Sequence, residues 1–322
     1  MGRLDEEMYR YLSMKEHFAD LINAGCFGGR EVLMVDDLEE LTGRTQEING
    51  KNALHSLQRD IRMRLRNGTH MALFAVENQT KIDWEMPLRI MRYDVSEYKK
   101  QAEEIHRRKR RKREEAGLKQ SRWLEKMDEP DKLQPIFTVC FYHGDGVWDG
   151  PKTLKDIVDF GEGHEEWEKQ FCDYSIKVIN AEDETVARNC RTQLRQFLNV
   201  MAVRKNASRL DHLLQSNEYA DINAETARII SVAANLPNFL ENMEDYKNQE
   251  SEGYNMCQAM EEIKKECMES GRSEGRAEGS EETLLQDLSN LMDTLQLNME
   301  QAMDALKIAQ EKRSRLKGLL KR

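Results

Sequence analysis

No apolar run in this chain approaches the roughly 18 residues that carry a helix across a bilayer, so a helical membrane protein is excluded. There is no G-x-x-x-x-G-K-[ST] loop to cradle a nucleoside triphosphate, so an ATP-driven regulator is not expected. A serine-type triad and a nicotinamide fingerprint are missing as well. The six cysteines, Cys26, Cys140, Cys172, Cys190, Cys257 and Cys267, have no C-x-x-C spacing and no neighbouring histidine pair. That pattern removes the usual zinc sites and leaves reduced, mostly buried thiols. The opening Met1-Gly2-Arg3-Leu4-Asp5-Glu6-Glu7 lacks the apolar core of a secretory signal and carries acid where a transit peptide avoids it. The expected compartment is the cytoplasm.

What the chain does have is charge: 34% of its residues are Asp, Glu, Lys or Arg, with a formal net charge of -10. An acidic molecule as a whole repels a nucleic-acid duplex, so any such contact has to be local. The 322 residues suffice for one sizeable α/β core with a smaller helical part.

The hydrophobic pattern gives an order of elements. Apolar residues Tyr11, Leu12, Phe18, Leu21 and Ile22 predict one amphipathic helix from about Glu6 to Asn23, ended by Gly25, Gly28 and Gly29. A short strand is expected at Val32 to Val35. Asp60 to Leu65 alternates polar and apolar and closes on Asn67-Gly68, the signature of a strand entering a hairpin turn. His70 to Val76 is nearly continuous and apolar, as in a central strand covered on both faces. Pro87 opens a long helix through about Arg113, with Leu88, Ile90, Met91, Val95 and Tyr98 as its apolar positions. A linker with Gly117, Pro130 and Pro135 leads to a buried-type strand from Ile136 to Tyr142. Thr153 to Val158 reads as a short helix and Tyr174 to Ile179 as a last strand, after which only helices follow. The expected parts are an α/β sandwich over 1–182, a helical module over 183–250 and a tail over 251–322. In that tail a four-residue Gly-Arg-x-Glu unit repeats from Gly271 to Gly279, compatible with an exposed helix or a flexible linker, and a break near Asn298 separates two helices or the arms of a coiled-coil hairpin.

Glu77 and Gln79, two apart at the polar end of the central strand, leave the same face, with Lys81 next in that row. If the Asp60 strand pairs antiparallel with it, Asp60 approaches Glu77 near the open end of the hairpin. Two converging carboxylates suit a hard cation such as Mg²⁺, which takes oxygen ligands and keeps several waters. On spacing alone the pattern is far more often that of a solvated strand end.

The run Asp60…Val76-Glu77-Asn78-Gln79, with Met86-Pro87-Leu88-Arg89 and Tyr93-Asp94 after it, resembles the PD-(D/E)XK nuclease-family transposases, also called recombination-promoting nucleases. So do Ile136 to Tyr142 with His143-Gly144, Trp148 and Gly150-Pro151, and the Gly-Arg-Glu tail. The resemblance implies a restriction-endonuclease-like α/β fold followed by a helical C-terminal region, and Mg²⁺-dependent cleavage of DNA. It makes Asp60 the first acid, preceded by Arg59 where proline is usual, and Glu77 the second. Asn78 offers its carbonyl to the metal, and Gln79 stands in the usual lysine position without a charge to activate water, a function Lys81 is positioned to supply. Asp20 matches an auxiliary acid, with Glu16 on the same helix face at i, i+4. A homodimer through the tail is expected, since cutting both strands needs two sites.

Seven consecutive cations, Arg107, Arg108, Lys109, Arg110, Arg111, Lys112 and Arg113, close the long helix. A solvated helix end favoured by the macrodipole accounts for such runs; the functional reading is a strip of phosphate contacts on DNA. Trp148 is expected to pack against the sheet edge and His143 to be a structural histidine. Two other functions fit the same sequence: a DNA-binding or regulatory protein that keeps the fold without the chemistry, and an assembly protein driven by its tail.

Overall fold

The structure is a computed structural model, and it describes residues 3–41, 60–66, 69–76, 82–119, 125–310, 313, 316 and 318. The protein is mixed α/β and mostly helical, in two compact units, 1–258 and 259–322.

The first unit opens with two helices where the sequence pattern suggested one, α1 (Arg3–Leu12) and α2 (Lys15–Phe27). The break has a local cause. The Met14 amide donates to the Tyr11 carbonyl at 3.3 Å and the His17 ring meets the same carbonyl at 3.1 Å, so the acceptor that the Lys15 amide of a continuing helix would use is taken. Both helices bury their apolar faces, with Met8, Tyr11, Leu12, Phe18, Leu21 and Ile22 nearly sealed. α2 runs past Gly25 and stops at Gly28, whose φ of 63° is the left-handed conformation glycine adopts without steric cost.

The expected strand at Val32 to Val35 does not form. Asn23 captures that backbone instead, donating to the Leu33 carbonyl and accepting from the Val32 and Leu33 amides, so the polar groups are satisfied without a ladder. A 3-10 turn at Val35–Asp37 leads into the short strand β1 (Leu38–Glu40). Then come β2 (Asp60–Leu65), β3 (His70–Val76), α3 (Met86–Glu115), β4 (Ile136–Tyr142), α4 (Glu165–Gln170) and β5 (Lys177–Asn180).

The five strands form one sheet in the order β1-β2-β3-β4-β5. β2 pairs antiparallel with both β1 and β3, while β3, β4 and β5 are parallel, with α3 crossing from the end of β3 to the start of β4. The central place of β3 explains its apolar run. β5 is shorter than expected because Tyr174 and Ile176 bond to Leu154 and Lys152 and not to β4. The same bonds draw 152–154 into extended pairing, and only a 3-10 turn at Lys155–Ile157 remains of the helix expected there.

The sheet is covered on both faces. On one, α3 packs Met86, Ile90 and Tyr93 against Cys140, Tyr142, Trp148 and Ile176. On the other, Phe27 of α2 stacks on Phe137 of β4 at 6.4 Å. The helices that follow are α5 (Glu184–Asn189), α6 (Leu194–Val203), α7 (Ala207–Leu214), α8 (Ala224–Ala233) and α9 (Pro237–Glu241). They continue the first unit, α1 packing on α8 and α2 on α5 and α6.

The helix α10 (Met256–Leu295) begins at the end of the first unit and runs into the second. It carries the Gly-Arg-Glu repeat, so that segment is helical and not a linker. α11 (Met299–Ala305) starts at Asn298, whose side chain accepts from the Gln301 amide while the Gln301 side chain accepts from the Asn298 amide, a capping box at the expected break. Leu288, Ala302, Met303, Ile308 and Leu316 form the core of the second unit. No helix among the described residues is long and apolar enough to cross a membrane.

Candidate functional site

Of the first set of candidates, Asp60 is the one described, and it enters at the carboxyl end of the parallel strands. β2 and β3 form the expected antiparallel hairpin, with Asp60 in register with Phe74, so Asp60 begins β2 at the sheet end where β3 finishes. Glu77, Asn78, Gln79 and Lys81 lie outside the described residues. The residues that bracket them are well anchored. Val76 pairs with Tyr142, and Ile82 packs against the cluster that contains Tyr142, Trp148 and Met86. Position 150 must be glycine for this closure: a Cβ there would lie 2.1 Å from Ile82 Cγ2. Asp83 then fixes the start of α3, accepting from the Glu85 amide at 2.9 Å and pairing with Arg89.

Asp20 is placed differently. Its carboxylate, 7% exposed, accepts from the Arg191 amide at 3.0 Å with both oxygens, and from the Thr192 amide at 2.8 Å and hydroxyl at 2.6 Å with Oδ2. Three donors converge on one carboxylate, with three of the four contacts at Oδ2. Asp20 thus ties α2 to the turn between α5 and α6. A cavity of about 270 Å³ opens beside it, lined by Glu16, Glu31 and Asp36 among others, with Arg191 held to Glu31 at 2.6 Å.

A second buried carboxylate was not singled out by the sequence reading. Asp94 of α3 lies over the sheet, accepting from Thr138 Oγ1 at 2.5 Å and from Tyr174 Oη at 2.6 Å. Burial raises its pKa above the usual carboxylate value; the two hydroxyl donors offset part of that, and the Glu97 charge adds to it. Glu97 accepts from Arg62 of β2 at 2.6 Å and from Lys100 at 2.7 Å. The buried face of α3 is therefore Met86, Ile90, Tyr93, Asp94, Glu97 and Ile105, while Leu88 and Val95, expected on the apolar side, are exposed. An acid one helical turn from Ile90, beside Tyr93, was the signal available in the sequence.

The basic end of α3 is not a uniform strip. The returning chain 125–136 zips along the helix: Arg110 reaches Glu125 at 3.1 Å, Lys109 holds Asp128 and Asp131, and Arg108 lies 3.4 Å from Asp131. The Lys109 ammonium beside it lowers Asp131 to about 2. Arg113 donates to the Lys119 carbonyl at 2.7 Å. Arg107, Arg111 and Lys112 have no carboxylate partner among the described residues and are exposed.

His143 is 2% exposed, with Nε2 3.9 Å from Asp5 Oδ1 and its carbonyl accepting from Arg204. Trp148 packs edge-on against Tyr142 and donates to the Gly150 carbonyl at 3.0 Å. Both are built into the core, as expected. Among the described residues no group of three His, Cys, Asp or Glu side chains is close enough to hold a metal ion. Searches against protein-family models, curated proteins and solved structures return no match for this chain.

Proposed function

We propose that the protein is a divalent-metal-dependent DNA endonuclease with a PD-(D/E)XK-like core. The observation that carries this reading is the hairpin β2–β3 followed by α3 and parallel β4, with Asp60 entering at the sheet end where β3 stops. Open α/β sheets bind ligands outside the carboxyl ends of their parallel strands, and Asp60 and the Glu77–Lys81 segment both adjoin that end. The donor set of the reading is two carboxylates, Asp60 and Glu77, with the Asn78 carbonyl. These are hard oxygen ligands, which fit Mg²⁺. When bound, such an ion supplies a Lewis acid and an activated water. In this reading Gln79 positions the attacking water and Lys81 carries the charge that glutamine lacks. In the same reading Asp20 serves the fold, because its carboxylate ties α2 to the Arg191 and Thr192 amides.

The test is supercoiled-plasmid cleavage with Mg²⁺ by the wild type beside Asp60→Ala and Glu77→Ala. Cutting that both substitutions reduce by a factor of at least about 100, the size of a lost catalytic electrostatic group, is the expected result. A folded wild type that fails to cut with every divalent metal tried, at every salt concentration, sinks the reading. Lys81→Ala that cuts as well as wild type removes Lys81 from it.

A further inference from the structure

α3 is about 45 Å long, roughly twice the length of seven-residue β4. Its first half packs on the sheet through Met86, Ile90 and Tyr93, so its second half overhangs. Beneath that overhang is a cavity of about 710 Å³. Its charged lining consists of Arg107, Arg108 and Arg111 from α3, Arg64 from β2 and Lys132 from the chain entering β4, against the one carboxylate of Glu104. Three separate segments thus converge five cations on one groove in a chain whose net charge is -10.

Two of the five are already paired, Arg64 with Glu39 at 2.7 Å and Arg108 with Asp131 at 3.4 Å. Arg107, Arg111 and Lys132 are exposed and have no carboxylate partner among the described residues. The spacing explains the division of labour. Glu104, Arg107 and Arg111 follow one another at i, i+3 and i+7 along one face, whereas Lys109, Arg110 and Arg113 turn toward the returning chain that they clamp. The groove wall is fixed as well. Gln101 and Gln134 exchange two hydrogen bonds, 2.7 and 3.3 Å, and Tyr98 Oη accepts from the Ile136 amide at 3.2 Å. Macrodipole compensation at a helix end requires neither cations from β2 and the β4 approach nor a preformed cavity.

We propose that this groove is a phosphate-backbone site for double-stranded DNA, in which Arg107, Arg111 and Lys132 neutralise phosphates while Lys109, Arg110 and Arg113 hold the fold. It lies toward the end of the sheet where β3 and β4 begin, opposite the end where Asp60 enters. The choice of DNA rests on the reading given above, but the site's operation does not depend on cleavage. Guanidinium forks suit phosphate oxygens, and each neutralised phosphate contributes about 0.9 to the log–log salt slope of binding.

The experiment is binding of a short labelled duplex to the full chain in EDTA, across a salt series, so that cutting plays no part. Loss of three contacts in Arg107→Gln/Arg111→Gln/Lys132→Gln lowers the slope by about 2.7. The charge-removing control Lys99→Gln/Lys119→Gln, on exposed lysines outside the groove, leaves it unchanged. Unfolding midpoints equal to wild type accompany both, and Arg111→Gln alone, lowering the slope by about 0.9, serves if the triple variant does not fold. Equal effects of triple variant and control, or an unchanged slope in the triple variant, overturn the proposal. So does saturable binding of inorganic tripolyphosphate with none of duplex, which would make the groove a site for small polyanions. Groove-dependent binding without Mg²⁺-dependent cutting retains this site and sinks only the nuclease; cutting with an unchanged slope does the reverse.

Discussion

Asp20 and Asp94 are buried alike, at 7% and 9% exposure, in the same compact unit, yet their surroundings treat them in opposite ways. Asp20 receives two backbone amides and a hydroxyl from the turn before α6, donors that are themselves fixed by the fold. Asp94 receives only two side-chain hydroxyls, from Thr138 and Tyr174, and burial dominates its protonation. Fixed backbone donors make Asp20 a joint between segments, whereas at Asp94, held by two side-chain hydroxyls, burial raises the pKa. The acid that resemblance marks as auxiliary is here tied into the scaffold by two backbone amides and the Thr192 hydroxyl.

The sharpest way to break this comparison is Asp20→Ala. It strands two amides and a hydroxyl and removes the tie between α2 and the helical module, and is expected to cost about 3 kcal/mol of stability, the upper range for an unsatisfied buried group; chemical denaturation measures it. A loss below about 1 kcal/mol would mean that water replaces the carboxylate freely. Next in size is Tyr174→Phe, which deletes one neutral donor at about 1 kcal/mol and raises the Asp94 pKa further, because the lost hydrogen bond was one of those lowering it. A carbonyl-carbon NMR titration of Asp94 reads the direction.

The smallest expected effect, least at low pH, is that of Asp94→Asn, an isostere of the protonated acid. Asp94 has a folded pKa above 3.8. The stability it contributes is therefore complete below 3.8 and is lost as the pH rises through the folded value. The amide cannot ionise, so the variant gains stability relative to wild type over that same window. Parallel pH–stability curves for the two proteins would show that Asp94 does not titrate as a buried group.

The legible parts of the fold were those whose pattern and environment agree. β2 alternates, β3 and β4 are apolar throughout because helices cover both faces of the sheet, and Pro87 opens α3 where its missing amide costs nothing. The errors came where a distant or unforeseen partner took the backbone: Met14 and His17 on the Tyr11 carbonyl between α1 and α2, Asn23 over Val32 and Leu33, and 152–154 over Tyr174 and Ile176. The face of α3 was misjudged because hydrophobicity put Val95 inward, while Arg62, Thr138 and Tyr174 make it favourable to bury Asp94 and Glu97. At the candidate site the sequence named Asp60 and its hairpin; Asp94 needed partners 44 and 80 residues away to be seen.

Read alone, the sequence determined the strand periods, the start of α3, the break at Asn298 and the presence of seven adjacent cations, because each depends on neighbours within a turn or a pleat. Which of those cations clamp the chain and which line the groove was decided only in three dimensions. So was the fate of the two buried carboxylates. Charge and burial are settled by whatever the fold brings within a few ångströms, and those groups come from segments far apart in the chain.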